Sequence, residues 1–184
     1  MDRIIRGANW WCEDINQRLR TKSAKLPDLK RTTDKFVASG GFFVVAMPGE
    51  IDELSAEFEL NGAHEDLRGR FGREAGDWTT LTYYERLANV GPASLVNIGR
   101  VVRIKGLINE VAQSKVEGQK ADPVKIVFSS IVLYQDIVGG KVVHKFDFFN
   151  NTLIMNGVNY GAEHNRMIVA WYIGLGPFGP RPPP

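Results

Sequence analysis

The sequence predicts a mainly β fold: antiparallel strands with one short α-helix. Three observations carry that prediction. From Glu53 to Leu60 the chain alternates strictly. Leu54, Ala56, Phe58 and Leu60 fall on one face, and Glu53, Ser55, Glu57 and Glu59 on the other. This is the period-two signature of a strand with one buried and one wet face. Two long β-rich stretches, 96–111 and 124–136, flank a polar segment with a central glycine, as a long hairpin does. Gly139-Gly140 and Asn156-Gly157 then punctuate further β-rich runs with tight-turn dipeptides. There is no strand–helix–strand alternation, so no doubly wound sheet is expected.

In chain order, residues 1–28 mix Trp10, Trp11 and Ile15 with many charges, among them Arg18, Arg20, Lys22 and Lys25. This stretch reads as a solvated arm, the alternative being a basic arm that docks on an acidic partner surface. Residues 29–37 make a thinly hydrophobic strand. Residues 38–50 read as a projecting loop, bounded by Ser39-Gly40-Gly41 and the turn signal Pro48-Gly49, with apolar side chains at its tip. A monomer rarely exposes such a segment without use.

The central strand follows, and burying Leu54, Phe58 and Leu60 contributes about 1.5–3 kcal/mol each. Three carboxylates on its wet face run against propensity, since Glu is a poor strand former. Ala63 to Phe71 reads as the one substantial helix, with Asn61 as its cap, Gly72 at its end, acidic residues early and arginines late. Trp78 to Tyr84 is β-rich, and residues 87–95 are turn-like. The two long stretches follow, the first interrupted by Gly99 and Gly106, which mark bulges or bends. The strands 142–148 and 152–155 come next. The chain closes on Pro177-Phe178-Gly179-Pro180-Arg181-Pro182-Pro183-Pro184, a polyproline-type end excluded from a sheet interior.

The composition narrows the function classes. A chain of 184 residues fits one domain with a real core. A net charge of +2 gives no general pull toward nucleic acid or membrane. The single Cys12 excludes an internal disulfide and a Cys-x-x-Cys motif. No secretory signal or membrane anchor is expected, because the start lacks an apolar h-region and no apolar run reaches spanning length. The chain therefore reads as cytosolic, or as part of something assembled in a cytosol, and Asn150-Asn151-Thr152 as a chance glycosylation pattern.

Chemistry is sparse. His64, His144 and His164 share no ligand spacing, so no metal site is expected. No nucleotide, hydrolase or metalloprotease motif is present, so neither cofactor nor catalytic residues are expected. Cys12 lies beside Glu13 and Asp14, which disfavour a thiolate, so it reads as a buried or intersubunit cysteine. Glu53, Glu57 and Glu59 are consecutive outward positions of one strand, unlike an acid/base pair drawn from the walls of a cleft. The aromatics Phe42, Phe43, Phe58, Trp78, Tyr83, Tyr84, Phe128, Tyr134, Phe146, Phe148 and Phe149 read mainly as core. The alternative is a single-stranded nucleic-acid-binding barrel whose aromatics stack bases.

Four motifs in register carry a resemblance. Lys145-Phe146-Asp147-Phe148-Phe149-Asn150 is followed by Asn156-Gly157-Val158-Asn159; Leu26-Pro27-Asp28-Leu29-Lys30 stands upstream. Between them come Met47-Pro48-Gly49-Glu50 through Leu60-Asn61-Gly62-Ala63, and Gly106-Leu107-Ile108-Asn109-Glu110-Val111 before a polar loop. Over roughly residues 3–168 the chain resembles the major tail tube proteins of contractile-tailed bacteriophages and R-type pyocins. Asp147, Asn150, Asn156 and Gly157 are the family motif. Asn159 stands where the family often has Asp, and the chain continues beyond the usual terminus. The resemblance thus divides the chain into a tail tube domain, 1–168, and a C-terminal Pro-rich extension, 169–184.

The resemblance implies a structural virion protein rather than an enzyme. Each copy would be an antiparallel, sandwich-like barrel with one short α-helix, and six would form a ring, with four strands from each joining neighbours into a ring-wide inner β-barrel. At a strand spacing of about 4.8 Å, such a barrel encloses roughly 40–50 Å. Glu53, Ser55, Glu57 and Glu59 would face its lumen. Phe42, Phe43, Val44, Met47 and Pro48 would form an intersubunit or inter-ring loop. The implied partners are further copies of the chain, the tail sheath, tape measure, baseplate and tail terminator proteins, and genomic DNA passing without sequence preference. The implied location is the virion, assembled in the host bacterial cytoplasm. A pyocin or related contractile injection particle is the alternative setting, and phage the commonest.

Overall fold

The computed structural model describes residues 2–62, 64–91, 94–117 and 120–173. The Pro-rich end at 174–184, Ala63, Pro92 and the central Gly118 of the expected hairpin loop lie outside the described residues. The first half of the chain runs β1 (Asp2–Cys12), β2 (Ile15–Asn16), β3 (Thr21–Lys25), β4 (Arg31–Val37), β5 (Val44–Ile51), β6 (Ala56–Leu60), α1 (Glu65–Arg68) and β7 (Thr79–Val90). The second half runs β8 (Leu95–Ala112), β9 (Val116–Glu117), β10 (Lys120–Ala121), β11 (Val124–Val138), β12 (Lys141–Asp147), β13 (Thr152–Met155), β14 (Val158–Asn159) and α2 (Gly161–Ile173). The fold is mainly antiparallel β, as the alternation and turn dipeptides predict.

The chain divides into two compact units, and the division falls inside the long strands β8 and β11. Of the described residues, the first comprises 2–18, 79–91, 94–105 and 132–173. Here β1 lies antiparallel to β7 with Trp10 opposite Tyr83 and Cys12 opposite Leu81, and β12 lies between β11 and β13. Trp10, Cys12, Leu81, Tyr83, Val102, Ile104 and Tyr134 form its core. The solvated-arm expectation for the N-terminus therefore fails for residues 2–12. The signal was thin because a register shift between Ile5 and Gly7 breaks the alternation, and only Trp10 and Cys12 are clearly buried. β7 also continues to Val90 through residues that read as a turn.

The second unit comprises Leu19–Trp78 and Gly106–Ile131. β6 is flanked by β3 and by the first part of β11, with Ala24 and Ile126 both opposite Phe58. Leu54, Ala56, Phe58, Leu60, Leu67, Ile108, Val124, Ile126 and Phe128 bury one face. Gly106 is required by close approach: a Cβ there would meet the Ser129 carbonyl oxygen at 2.8 Å and Ile131 Cα at 3.2 Å.

Three boundaries differ from expectation. The strand through the alternating segment covers only Ala56–Leu60; Asp52 to Ser55 are irregular, although Leu54 still packs inward. The helix expected over 63–71 is one turn, ending at Gly69, whose amide bonds to the Glu65 carbonyl. Glycines at 69 and 72 leave too short a run to propagate, and neither Asn61 nor His64 supplies a side-chain cap. A second helix, α2, was not foreseen. It opens on Gly161 and ends in a run of β-branched and aromatic residues, so its pattern shows no clean apolar stripe.

Candidate functional site

Two surfaces of the second unit hold the residues the sequence singles out. On the wet face of β3, β6 and β11, two cross-strand rows alternate in charge. Ser23 and Lys125 lie opposite Glu59; Lys25 and Val127 lie opposite Glu57. Lys125 Nζ reaches the Glu57 carboxylate at 2.9 Å, and Lys22 Nζ lies 3.7 Å from Glu59, which also accepts a 2.9 Å hydrogen bond from Ser23 Oγ. Lys25 bonds Asp28 at 3.0 Å. The hydrogen bond to Glu57, reinforced by the charges of Glu57, Glu110 and Glu59, raises the Lys125 pKa above the ordinary lysine value against desolvation. The hydrogen bond and charge of Asp28 raise that of Lys25, and the same pairing lowers the Asp28 carboxyl. This answers why Glu persists in a strand: opposite charges facing across strands offset poor propensity.

Of the four expected lumen residues, Glu57 and Glu59 share this face on β6. Glu53 and Ser55 lie in the irregular segment before it, both exposed. The face is also not the simple carboxylate array the sequence suggests. Lys22, Lys25 and Lys125 complete it and were not assigned to it. The available signal was the period-two pattern Val124-Lys125-Ile126, which puts Lys125 on an outward position beside two buried neighbours.

The second surface is the β4–β5 ribbon, a two-stranded sheet of its own. The expected loop 38–50 is largely this hairpin: Phe36 pairs with Val45 and Val37 with Val44, and Pro48 lies within β5 opposite Thr33. Pro48-Gly49 is therefore not a turn. Proline is tolerated because a two-stranded ribbon consists only of edges. Gly49 is needed because a Cβ would collide with Thr32 Oγ1, while Arg31 donates two hydrogen bonds to its carbonyl, at 3.0 and 2.8 Å. The loop residues Phe42, Phe43, Val44 and Met47 are all exposed, Phe42 completely.

The motif Asp147, Asn150, Asn156 and Gly157 builds a clip in the first unit. Asp147 Oδ1 accepts the Asn150 amide at 3.2 Å, and its Oδ2 accepts Asn150 Nδ2 at 2.8 Å. Asn165 Nδ2 on α2 donates to the Asn150 and Asn151 carbonyls at 3.3 and 2.9 Å, and its Oδ1 accepts from Asn151 Nδ2 at 2.7 Å. Asn156 and Gly157 form the left-handed β13–β14 turn, with φ of 51° and 82°. Asn159 accepts the Gly161 amide at 3.0 Å and orders the start of α2.

A third cluster escaped sequence reasoning. Arg100 bonds Asp136 through Nε at 3.0 Å and Nη2 at 2.8 Å, and Glu85 through Nη1 at 3.0 Å. Both carboxylates are buried. Burial, with the nearby Glu85 charge, pushes the Tyr83 hydroxyl up to about 12; burial, with the Asp136 charge, pushes Tyr134 up to about 12. Glu85 occupies an inward position of β7, where period two alone predicts an apolar side chain.

A family model described as phage tail tube protein FII matches residues 2–168. The chain belongs to this family. No curated protein matches it significantly. Among solved structures, it is similar to a chain of the PVC sheath–tube complex, an extracellular contractile injection system in the extended state. The identity is 12%, the match covers 71% of this chain and 86% of that one, and the TM-score is 0.50. A chain of the PVC sheath/tube terminator matches at 12% identity over 67% and 89%, with a TM-score of 0.49. The first of these likenesses concerns the fold.

The tail tube protein is thus a structural component, not an enzyme. In that light the aromatics divide sensibly. Phe58, Tyr83, Phe128 and Tyr134 are core residues, whereas Phe42, Phe43, Tyr84, Phe148 and Phe149 are exposed, so the expectation that the named aromatics are mainly core holds for only part of them. Cys12 is buried in the core of the first unit.

Proposed function

We propose that this tail tube protein polymerises as stacked hexameric rings into the hollow inner tube of a contractile tail, the conduit through which DNA is ejected. The observation that carries this reading is the β4–β5 ribbon. It exposes Phe36, Val37, Phe42, Phe43, Val44, Val45 and Met47, and an isolated two-stranded ribbon is at best marginally stable in water. A neighbouring subunit or ring that covers these side chains removes that cost. Ring-on-ring contact is heterologous and does not close, so it propagates into a filament.

Within that assembly, the four-strand sheet of β3, β6, β11 and the end of β8 joins its counterparts into the inner barrel, which satisfies otherwise open edges. Glu57 and Glu59 then face the channel, with Glu53 and Ser55 at its margin. Sheath, tape measure, baseplate and terminator proteins are the further partners, and residues 169–184 form an extension beyond the tube domain 1–168. Assembly takes place in the host cytoplasm, ahead of incorporation into the particle.

The test is negative-stain electron microscopy of the purified chain at raised concentration. Rings or tubes with a channel of roughly 40–50 Å are expected. Solid fibres, or rings with no central channel, would contradict the reading.

A further inference from the structure

The carboxylates of the β3–β6–β11 face do not stand in isolation, and this changes what they do. Glu57 pairs with Lys125 on the adjacent strand at 2.9 Å and Glu59 with Lys22 at 3.7 Å, and just beyond the end of β3 Asp28 pairs with Lys25 at 3.0 Å. Glu57 also lies directly opposite Lys25 in the β3–β6 register. A wall whose purpose was repulsion would omit the lysines; a wall that bound phosphate would omit the carboxylates. We infer that Asp28, Glu57 and Glu59 are masks, holding Lys25, Lys125 and Lys22 so that a polyphosphate moving over this face finds no cation to bind.

The physical basis is competition. Affinity of a protein surface for duplex DNA comes from lysines and arginines that displace condensed counterions, one for each phosphate neutralised. An ammonium already paired with a fixed carboxylate has its counterion built into the protein. DNA must displace that carboxylate before it gains a contact, and the displaced charge then repels it. The Glu57–Lys125 and Glu59–Lys22 pairs are cross-strand and Lys25–Asp28 is local in the chain, so the fold holds them in place without help from solvent ions. Lysines on such a surface have a reason of their own: they let Glu occupy strand positions it otherwise disfavours. The face is thereby rendered polar, hydrated and non-adhesive to a polyanion. The inference rests on the channel-lining reading of this face.

The experiment compares full-length chains by fluorescence anisotropy with a labelled 20-base-pair duplex, at 50 and 200 mM salt. The variant Asp28→Asn/Glu57→Gln/Glu59→Gln uncovers three lysines. It is expected to bind at least tenfold more tightly than the parent at 50 mM, and to lose about 40-fold in affinity by 200 mM, the slope for three phosphates. Adding Lys22→Met/Lys25→Met/Lys125→Met should abolish the gain. Should the triple variant not fold, Glu57→Gln/Glu59→Gln uncovers Lys125 and Lys22 and is expected to add a salt dependence of about 12-fold over the same range. A folded variant that binds no better than the parent, or a gain that survives loss of the lysines, overturns the masking. A separate readout checks the reading beneath it: Val127→Cys carrying a gold cluster, imaged in assembled tubes. Gold inside the channel sustains that reading, so a failed DNA assay then refutes the masking alone. Gold on the exterior overturns the channel-lining reading and the inference with it.

Discussion

Arg100 and Asp136 meet through two hydrogen bonds of 3.0 and 2.8 Å, the bidentate fork geometry of a guanidinium on a carboxylate. The remaining Nη1 holds Glu85, which also accepts from the Tyr83 hydroxyl at 3.2 Å. One cation thus serves two buried carboxylates.

Arg100→Met is expected to destabilise the chain by about 3 kcal/mol, because it strands two buried charges. Replacing all three members with apolar residues, Arg100→Met/Glu85→Leu/Asp136→Leu, should recover most of that loss. Urea unfolding of the two variants against the parent checks both statements.

The same cluster sets a response to base. Tyr83 and Tyr134 are raised to about 12, mainly by burial. In the unfolded chain they ionise near 10. The folded state therefore keeps protons the unfolded state has lost, and stability falls as pH rises between about 10 and 12; below 10 the contribution is complete. Spectrophotometric titration at 295 nm, compared with the Tyr83→Phe and Tyr134→Phe variants, should show these two tyrosines ionising near 12. Tyr83→Phe should flatten the decline in stability over that interval.

The ribbon separates folding from assembly. Phe42→Ser/Phe43→Ser removes two exposed side chains from its tip, so the melting temperature should stay within about 0.5 kcal/mol of the parent in free-energy terms, while tubes fail to form in electron micrographs. Gly49→Val acts differently: its side chain collides with Thr32, which should disorder the ribbon, detectable as faster amide exchange across 31–51.

The clip is testable through α2. Gly161→Ala would bring a Cβ to 2.7 Å from the Asn151 carbonyl oxygen, and Asn165→Ala removes the three hydrogen bonds that tie the helix to residues 150 and 151. Each should cost about 1–2 kcal/mol. Hydrogen exchange should localise the loss to α2 while β6 stays protected.

By itself the sequence determined the β class, the buried row Leu54, Ala56, Phe58 and Leu60, both long strands, the glycine turn at 139–140 and the Asn156-Gly157 turn. Each rests on local rules: side chains alternate at period two, and left-handed backbone selects Gly or Asn. The family motif was legible as spacing, but not as a clip, because its partner Asn165 lies on a helix without a clear stripe. What only the tertiary structure decided is which distant charges meet. Lys125 is far from Glu57 in sequence, and Arg100 from Asp136; neither pairing leaves a periodic trace, because an ion pair depends on strand register rather than on spacing along the chain. The N-terminal strand was hidden because the shift between Ile5 and Gly7 breaks its alternation, so its pairing with β7 leaves no clean period-two trace.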